Sequence, residues 1–111
     1  MSRQHTISTE LRRALEGYDV DRGFGRTCPS CAQEYEPGER VLVVAERPSE
    51  AASWTVSSVV CAECGQQSIP EERRGASEQA LVSADLAASG LTLAIDGESA
   101  RLLDRSPATD A

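Results

Sequence analysis

The sequence contains no lysine, one histidine, one methionine, one tryptophan, one phenylalanine and two tyrosines among 111 residues. Large aliphatic and Phe side chains are also scarce: three Ile, nine Leu, eight Val and one Phe make 21 of 111, about 19%. With a net charge of -7, that share falls just under the roughly 20% below which charged chains tend to stay disordered. Folding a domain of this length costs on the order of 100 kcal/mol of chain entropy. So thin a core is a poor offset for that, and a further cross-link is expected. The lone histidine, His5, lies near the terminus and reads as a solvated side chain. That leaves Cys/His and Ser/His/Asp catalysis without a base. The carboxylates are scattered on loops and charged faces, with no pair placed around a pocket, so neither enzyme activity nor a small-molecule substrate is expected. Residues 1–13 are polar and the longest apolar stretch, Val41 to Ala45, has strand length. No signal peptide or membrane span is read, and the expected location is the cytoplasm.

Eighteen acidic residues face eleven arginines, giving a sequence pI near 4.6. Acid excess without lysine is the pattern of a salt-loving, GC-rich source, in which carboxylates keep a chain soluble. At 1 M salt the Debye length is about 3 Å, so net charge then loses force as an argument against nucleic-acid binding. The charge is uneven: residues 1–27 carry five Arg against four acids, residues 28–65 two against six, and residues 66–111 four against eight. Arg12, Arg13, Arg22 and Arg26 form the best basic cluster, diluted by Glu10, Glu16, Asp19 and Asp21.

Along the chain, residues 1–23 read as an arm with one short helix, capped by Ser8, with Leu11 and Leu15 on one face and a stop at Gly17. Pro37 and Gly38 take the central positions of a type II turn in Glu36-Pro37-Gly38-Glu39. This turn launches a strand from Arg40 to Arg47, which returns from Trp54 to Val60. Strict alternation places Trp54, Val56, Ser58 and Val60 on one face, with Trp54 across the hairpin from Leu42 or Val44. Arg40 and Arg47 read as ion-paired strand ends. After a charged linker at 71–75, the spacing of Leu81, Ala84 and Ala88, widened by Val82 and Leu86, predicts a helix over about 76–89, capped by Ser77 and ended by Gly90. Asp96-Gly97 between alternating runs predicts a tight hairpin, with Leu93 opposite Ala100 and Leu91 opposite Leu102. Residues 104–111 read as a tail.

The chemistry concentrates in Cys28-Pro29-Ser30-Cys31 and Cys61-Ala62-Glu63-Cys64. In a reducing compartment such pairs point to a metal or to redox work. One C-x-x-C turn presents two sulfurs to one ion, and two such turns close a tetrahedral zinc site. The intervening hairpin brings their ends together. A redox dithiol would need a C-x-x-C opening a helix, and iron is the other metal that four thiolates suit. A shift of 33 residues superposes the two pairs and also Gln33 on Gln66, Pro37 on Pro70, and Glu39-Arg40 on Glu72-Arg73, so both read as similar knuckles.

On these two pairs the sequence resembles the zinc-ribbon family, in particular the small acidic C-P-x-C zinc-ribbon proteins of halophilic archaea. The resemblance covers roughly residues 24–69. It carries over Cys28, Cys31, Cys61 and Cys64 as ligands, and departs from the pattern at Ala32, where the first knuckle often has glycine. It implies a fold and one structural Zn2+, not one activity, because zinc ribbons serve as nucleic-acid readers, protein-docking modules and staples.

The fold expected is thus a small α+β domain: an arm (1–23), a four-cysteine zinc ribbon (24–70), a linker (71–75), a helix plus β-hairpin packed on the ribbon (76–103) and a tail (104–111). The function expected is a non-enzymatic zinc-binding adaptor with a protein partner. The alternative is a nucleic-acid-binding regulator using the ribbon and the N-terminal arginines.

Overall fold

The computed structural model describes residues 7–23, 25–47, 53–65, 69 and 78–106. His5, the 71–75 linker, most of the connection after Arg47 and all of the second repeat after Gly65 except Ile69 lie outside them. Among the described residues two short helices, α1 (Thr9–Leu15) and α2 (Val20–Gly23), precede four strands: β1 (Arg40–Arg47), β2 (Thr55–Cys61), β3 (Glu78–Ser89) and β4 (Thr92–Ser106). The strands form one antiparallel sheet in the order β2-β1-β3-β4.

Local chemistry explains the first half. The Ser8 side chain accepts a hydrogen bond from the Leu11 N–H at 3.1 Å, capping α1. Leu11 and Leu15 are buried, and Gly17 leaves the helix with φ +77°. The segment read as an arm lies against the sheet, with Leu11, Leu15 and Val20 in the main core beside Val41, Val43, Val82, Leu86, Leu93 and Ile95. The type II turn forms as its sequence dictates: Gly38 has φ +88° and the Glu39 N–H donates to the Glu36 carbonyl at 3.0 Å. It launches β1 at Arg40. A smaller cluster of Leu42, Leu81 and Ile69 covers the opposite face of the sheet.

The second half overturns the α+β expectation. The segment predicted as a C-terminal helix is strand β3, and the molecule is mostly antiparallel sheet. β3 pairs with β1 over eight consecutive residues, from Arg40↔Asp85 to Arg47↔Glu78. Its apolar residues satisfy a helix spacing and a strand spacing at once: Ala80, Val82, Ala84 and Leu86 join the main core, while Leu81 joins the other cluster. A strand buried on both faces reads as a continuous apolar run, which a helical template also fits. The inner edge of β1 supplied the missing term, since its backbone groups need a partner and tertiary pairing overrides the helical preference of an Ala-rich segment.

The hairpin turn is also displaced. Ser89 pairs with Thr92, so the chain reverses at Gly90 (φ +65°) and Leu91, and β4 runs on through Asp96-Gly97. Asp96 and Gly97 do form a local turn. The Glu98 N–H donates to Asp96 Oδ1 at 3.1 Å and the Ser99 hydroxyl to the Asp96 carbonyl at 2.7 Å. This turn makes a bulge: β3 advances two residues from Ser83 to Asp85 while β4 advances five between their partners Arg101 and Asp96. The Gly97 N–H meets Glu16 Oε1 at the end of α1, at 2.6 Å. Residues 104–106 of the expected tail belong to β4.

A second bulge corrects the faces of β2. Val44 pairs with Ser58 but Ala45 with Val56, so Ser57 is extra. One inserted residue reverses the alternation. It moves Val56 and Trp54 to the face of Val59 and Cys61, away from Leu42 and Val44. There the Arg47 guanidinium lies 5.2 Å from the Trp54 ring centroid.

A Cβ at Gly97 would stand 2.9 Å from Glu16 Cβ and 3.2 Å from Glu16 Cα. Gly97→Ala is therefore expected to destabilise by about 1–3 kcal/mol through overpacking, measured by chemical denaturation. An unchanged midpoint would rule out the docking of α1 on this bulge.

Candidate metal centre

The first knuckle sits at the tip of a miniature hairpin closed by the Thr27↔Glu34 bridge. Within it the Cys28 N–H donates to the Gln33 carbonyl at 2.9 Å, and the Ala32 N–H to the Cys28 carbonyl at 2.8 Å. The second knuckle turns directly off the end of β2, where the Cys64 and Gly65 N–H groups both reach the Cys61 carbonyl at 3.1 Å. Because Cys61 pairs with Val41 at the start of β1, both turns lie at one end of the β1–β2 hairpin. They are stitched by the Cys61 N–H, which points to Cys28 Sγ at 3.5 Å.

The four cysteines picked from the sequence are brought together here. Their sulfurs all lie within 4.8 Å of one another, and the Cys31 and Cys61 sulfurs are 3.8 Å apart. None is in a disulfide. Such a group can hold a metal ion. Its exposure is uneven in a way the sequence did not indicate: the first cysteine of each pair is buried and the second exposed. Cys28 follows the Thr27 bridge and Cys61 ends β2, and both join the core, while Cys31 and Cys64 lie at the far side of each turn.

The electrostatics show why such a cluster takes a cation. Burial pushes the Cys28 thiol up, but the backbone groups of Cys61, Cys31 and Ser30 outweigh it and lower it to about 6. Hydrogen bonding among the sulfurs, first with Cys61 and then with Cys31, pushes Cys64 up to about 12. The first thiolate is thus well served by backbone donors, and a later one meets neighbouring sulfur charge. A bound cation removes that conflict.

Sequence reasoning missed two supporting residues. Tyr35 is buried beside the site, and its hydroxyl donates to the Val59 carbonyl at 3.4 Å. Burial, followed by the nearby Cys28 and Cys61 sulfurs, raises its phenol and keeps it a donor. Gly65 admits the side chains beneath it, because a Cβ there would collide with Leu42 Cδ1 and stand 2.8 Å from Val60 Cγ2. A glycine following C-x-x-C was the available signal for Gly65. A tyrosine four residues after a cysteine carries none.

Trp54 is 8% exposed and belongs to the core. Arg40 pairs with Asp85 at 3.2 Å and Arg47 with Glu78 at 2.6 Å, so the strand-end arginines are ion-paired as expected, to acids of β3. Arg26 pairs with Asp21 at 2.9 Å. Arg12 and Arg13 are exposed on α1.

A family model described as a domain of unknown function, DUF8112, matches residues 5–89. The chain belongs to this family. No curated protein and no solved structure matches it. Among the described residues no helix is long and apolar enough to cross a membrane.

The two positions after the knuckles should respond oppositely to substitution. Ala32 holds φ +63°, a left-handed conformation that costs a non-glycine residue roughly 1–2 kcal/mol. After the extra unfolded-state entropy of glycine, Ala32→Gly is expected to leave stability unchanged or raise it by up to about 1 kcal/mol. Gly65→Ala should lower it by about 1–3 kcal/mol through overpacking. Denaturation midpoints of the two variants check the contrast.

Proposed function

We propose that the chain binds one structural zinc ion through Cys28, Cys31, Cys61 and Cys64, catalyses no reaction, and acts as a protein-interaction adaptor in a reducing compartment. The observation that carries the metal assignment is the spacing of the sulfurs. A tetrahedral site with Zn–S of about 2.3 Å has edges of about 3.8 Å, and 3.8 Å is the separation of the Cys31 and Cys61 sulfurs. Four thiolates would fill the coordination sphere and leave no position for a water nucleophile. A redox dithiol is less well supported, since among the described residues neither C-x-x-C opens a helix. Absence of lysine and excess of acid accord with a source at high salt.

The adaptor reading draws on the β3–β4 turn. Residues 86–95 carry no charge in a chain of net charge -7, and at their apex Leu91 is 94% exposed beside exposed Ala87 and Ala88. The nucleic-acid alternative draws on Arg12 and Arg13, but Arg26, Arg40, Arg47 and Arg105 are each paired with a carboxylate of this chain. A phosphate would have to compete with those partners. Binding of DNA or RNA that weakens steeply with salt and is reduced by replacing Arg12 and Arg13 would favour that alternative.

Purified protein should contain one zinc per chain by elemental mass spectrometry, and no visible iron–thiolate absorption. Structural zinc contributes about 10–16 kcal/mol in small domains, as much as the whole stability of a typical one. Chelation or Cys31→Ser should therefore abolish cooperative unfolding. A chelated chain that still melts cooperatively would refute the structural role.

A further inference from the structure

We infer that Cys31 and Cys64 form a dedicated oxidation site, in which a peroxide converts them to a disulfide that replaces the metal as the link between the knuckles. The inference rests on the metal reading above and adds a modification of the same cluster. Its basis is the division of the four sulfurs into two classes. Cys28 and Cys61 are 1% and 2% exposed. Cys28 Sγ also accepts from the Ser30 and Cys61 N–H groups at 3.4 and 3.5 Å, which occupy its lone pairs. Cys31 and Cys64 are exposed, they come from different knuckles, and their sulfurs lie within 4.8 Å of each other. An oxidant arriving from solvent therefore reaches one sulfur of each knuckle, and oxidation follows access. Neither of the pairs within a knuckle, Cys28–Cys31 and Cys61–Cys64, consists of two accessible sulfurs.

The step balances with hydrogen peroxide as the oxidant. The Cys31 thiolate attacks one peroxide oxygen, the O–O bond breaks, and the departing hydroxide takes a proton to become water. The Cys31 sulfenic acid is then attacked at sulfur by the Cys64 thiolate. The S–S bond forms, the S–O bond breaks, and the second hydroxide leaves as water on taking a proton. Two sulfurs lose one electron each, and the peroxide gains both. Two thiolates then remain, too few to retain the ion. The new bond joins the same two turns, so the sheet keeps its closed end.

The test uses the full chain, loaded with zinc and with its stoichiometry measured first, then treated with hydrogen peroxide. Zinc release is read with a chromogenic chelator and disulfides by peptide mass mapping after alkylation. The expected result is one Cys31–Cys64 disulfide per zinc released, with Cys28 and Cys61 alkylated. Cooperative unfolding should persist in the oxidised chain and be absent from the reduced, chelated chain, and thiol reductant plus zinc should restore the starting state. In Cys64→Ser the resolving thiol is gone, and a sulfenic acid on Cys31 should be trapped by dimedone. A disulfide within one knuckle, sulfinic or sulfonic acids without a disulfide, or intact thiols at peroxide levels that oxidise a free cysteine peptide would each overturn the inference. A chain that takes up no zinc refutes the metal reading alone. The same mapping on that metal-free, reduced chain still decides the pairing.

Discussion

Strand β1 is paired along its length on both sides, and the match of its Val41 with Cys61 decides where the sulfur cluster can sit. The turn at Pro37-Gly38 ties the start of β1 to the first knuckle, and Cys61 is the last residue of β2. A single register therefore delivers two C-x-x-C turns, thirty-three residues apart in sequence, to one end of the sheet. A slip of one residue would turn Cys61 to the other face, taking its sulfur away from Cys28 and its N–H away from the Cys28 sulfur. The geometry of the site is thus a property of the sheet, and the turn sequences supply only the donors.

The converse dependence is electrostatic. Sulfurs so close cannot all be charged without a cation, as the opposite displacements of Cys28 and Cys64 indicate. The sheet assembles the donors, and the cation they would hold removes the repulsion that assembly creates. Buried Cys28 and Cys61 connect the two effects because each is a ligand candidate and a core residue at once.

What was legible in the sequence was whatever is decided within a few residues. The Ser8 cap, the Gly17 stop, the Pro37-Gly38 turn, the span of β1 and the two cysteine pairs each have a local cause. What failed depends on a neighbour remote in sequence. Leu81, Ala84 and Ala88 satisfy a helix until the unpaired edge of β1 is taken into account. Asp96-Gly97 does turn the backbone, but β4 continues because the reversal is already made at Gly90, whose positive φ suits a two-residue hairpin as well as a helix stop. Ser57 shows no sign of being an extra residue, yet it decides which face Trp54 occupies. The clustering of the cysteines escaped these errors because they were picked by spacing and the hairpin between them does form.

The scarcity of large apolar side chains also has a geometric use. Both outer strands of the sheet have backbone groups that would otherwise invite pairing with another chain, and the N-terminal third serves both. On β4, Ile95 exchanges hydrogen bonds with the Gly17 N–H and the Tyr18 carbonyl at 2.9 and 3.0 Å, and Asp19 bridges to Ala94. On β2, the Val59 carbonyl takes the Tyr35 hydroxyl and the Cys61 N–H faces the Cys28 sulfur. Reaching from one edge to the other requires this segment to lie close on the sheet. The residues beneath it accordingly include Ala45, Ala80, Ala84 and Ala100, and Gly97 gives way to Glu16. Larger side chains at these positions would enlarge the core but lift the covering layer away from the edges it closes. The composition that resembles that of a disordered chain is, in this fold, the condition for a thin layer to finish a small sheet.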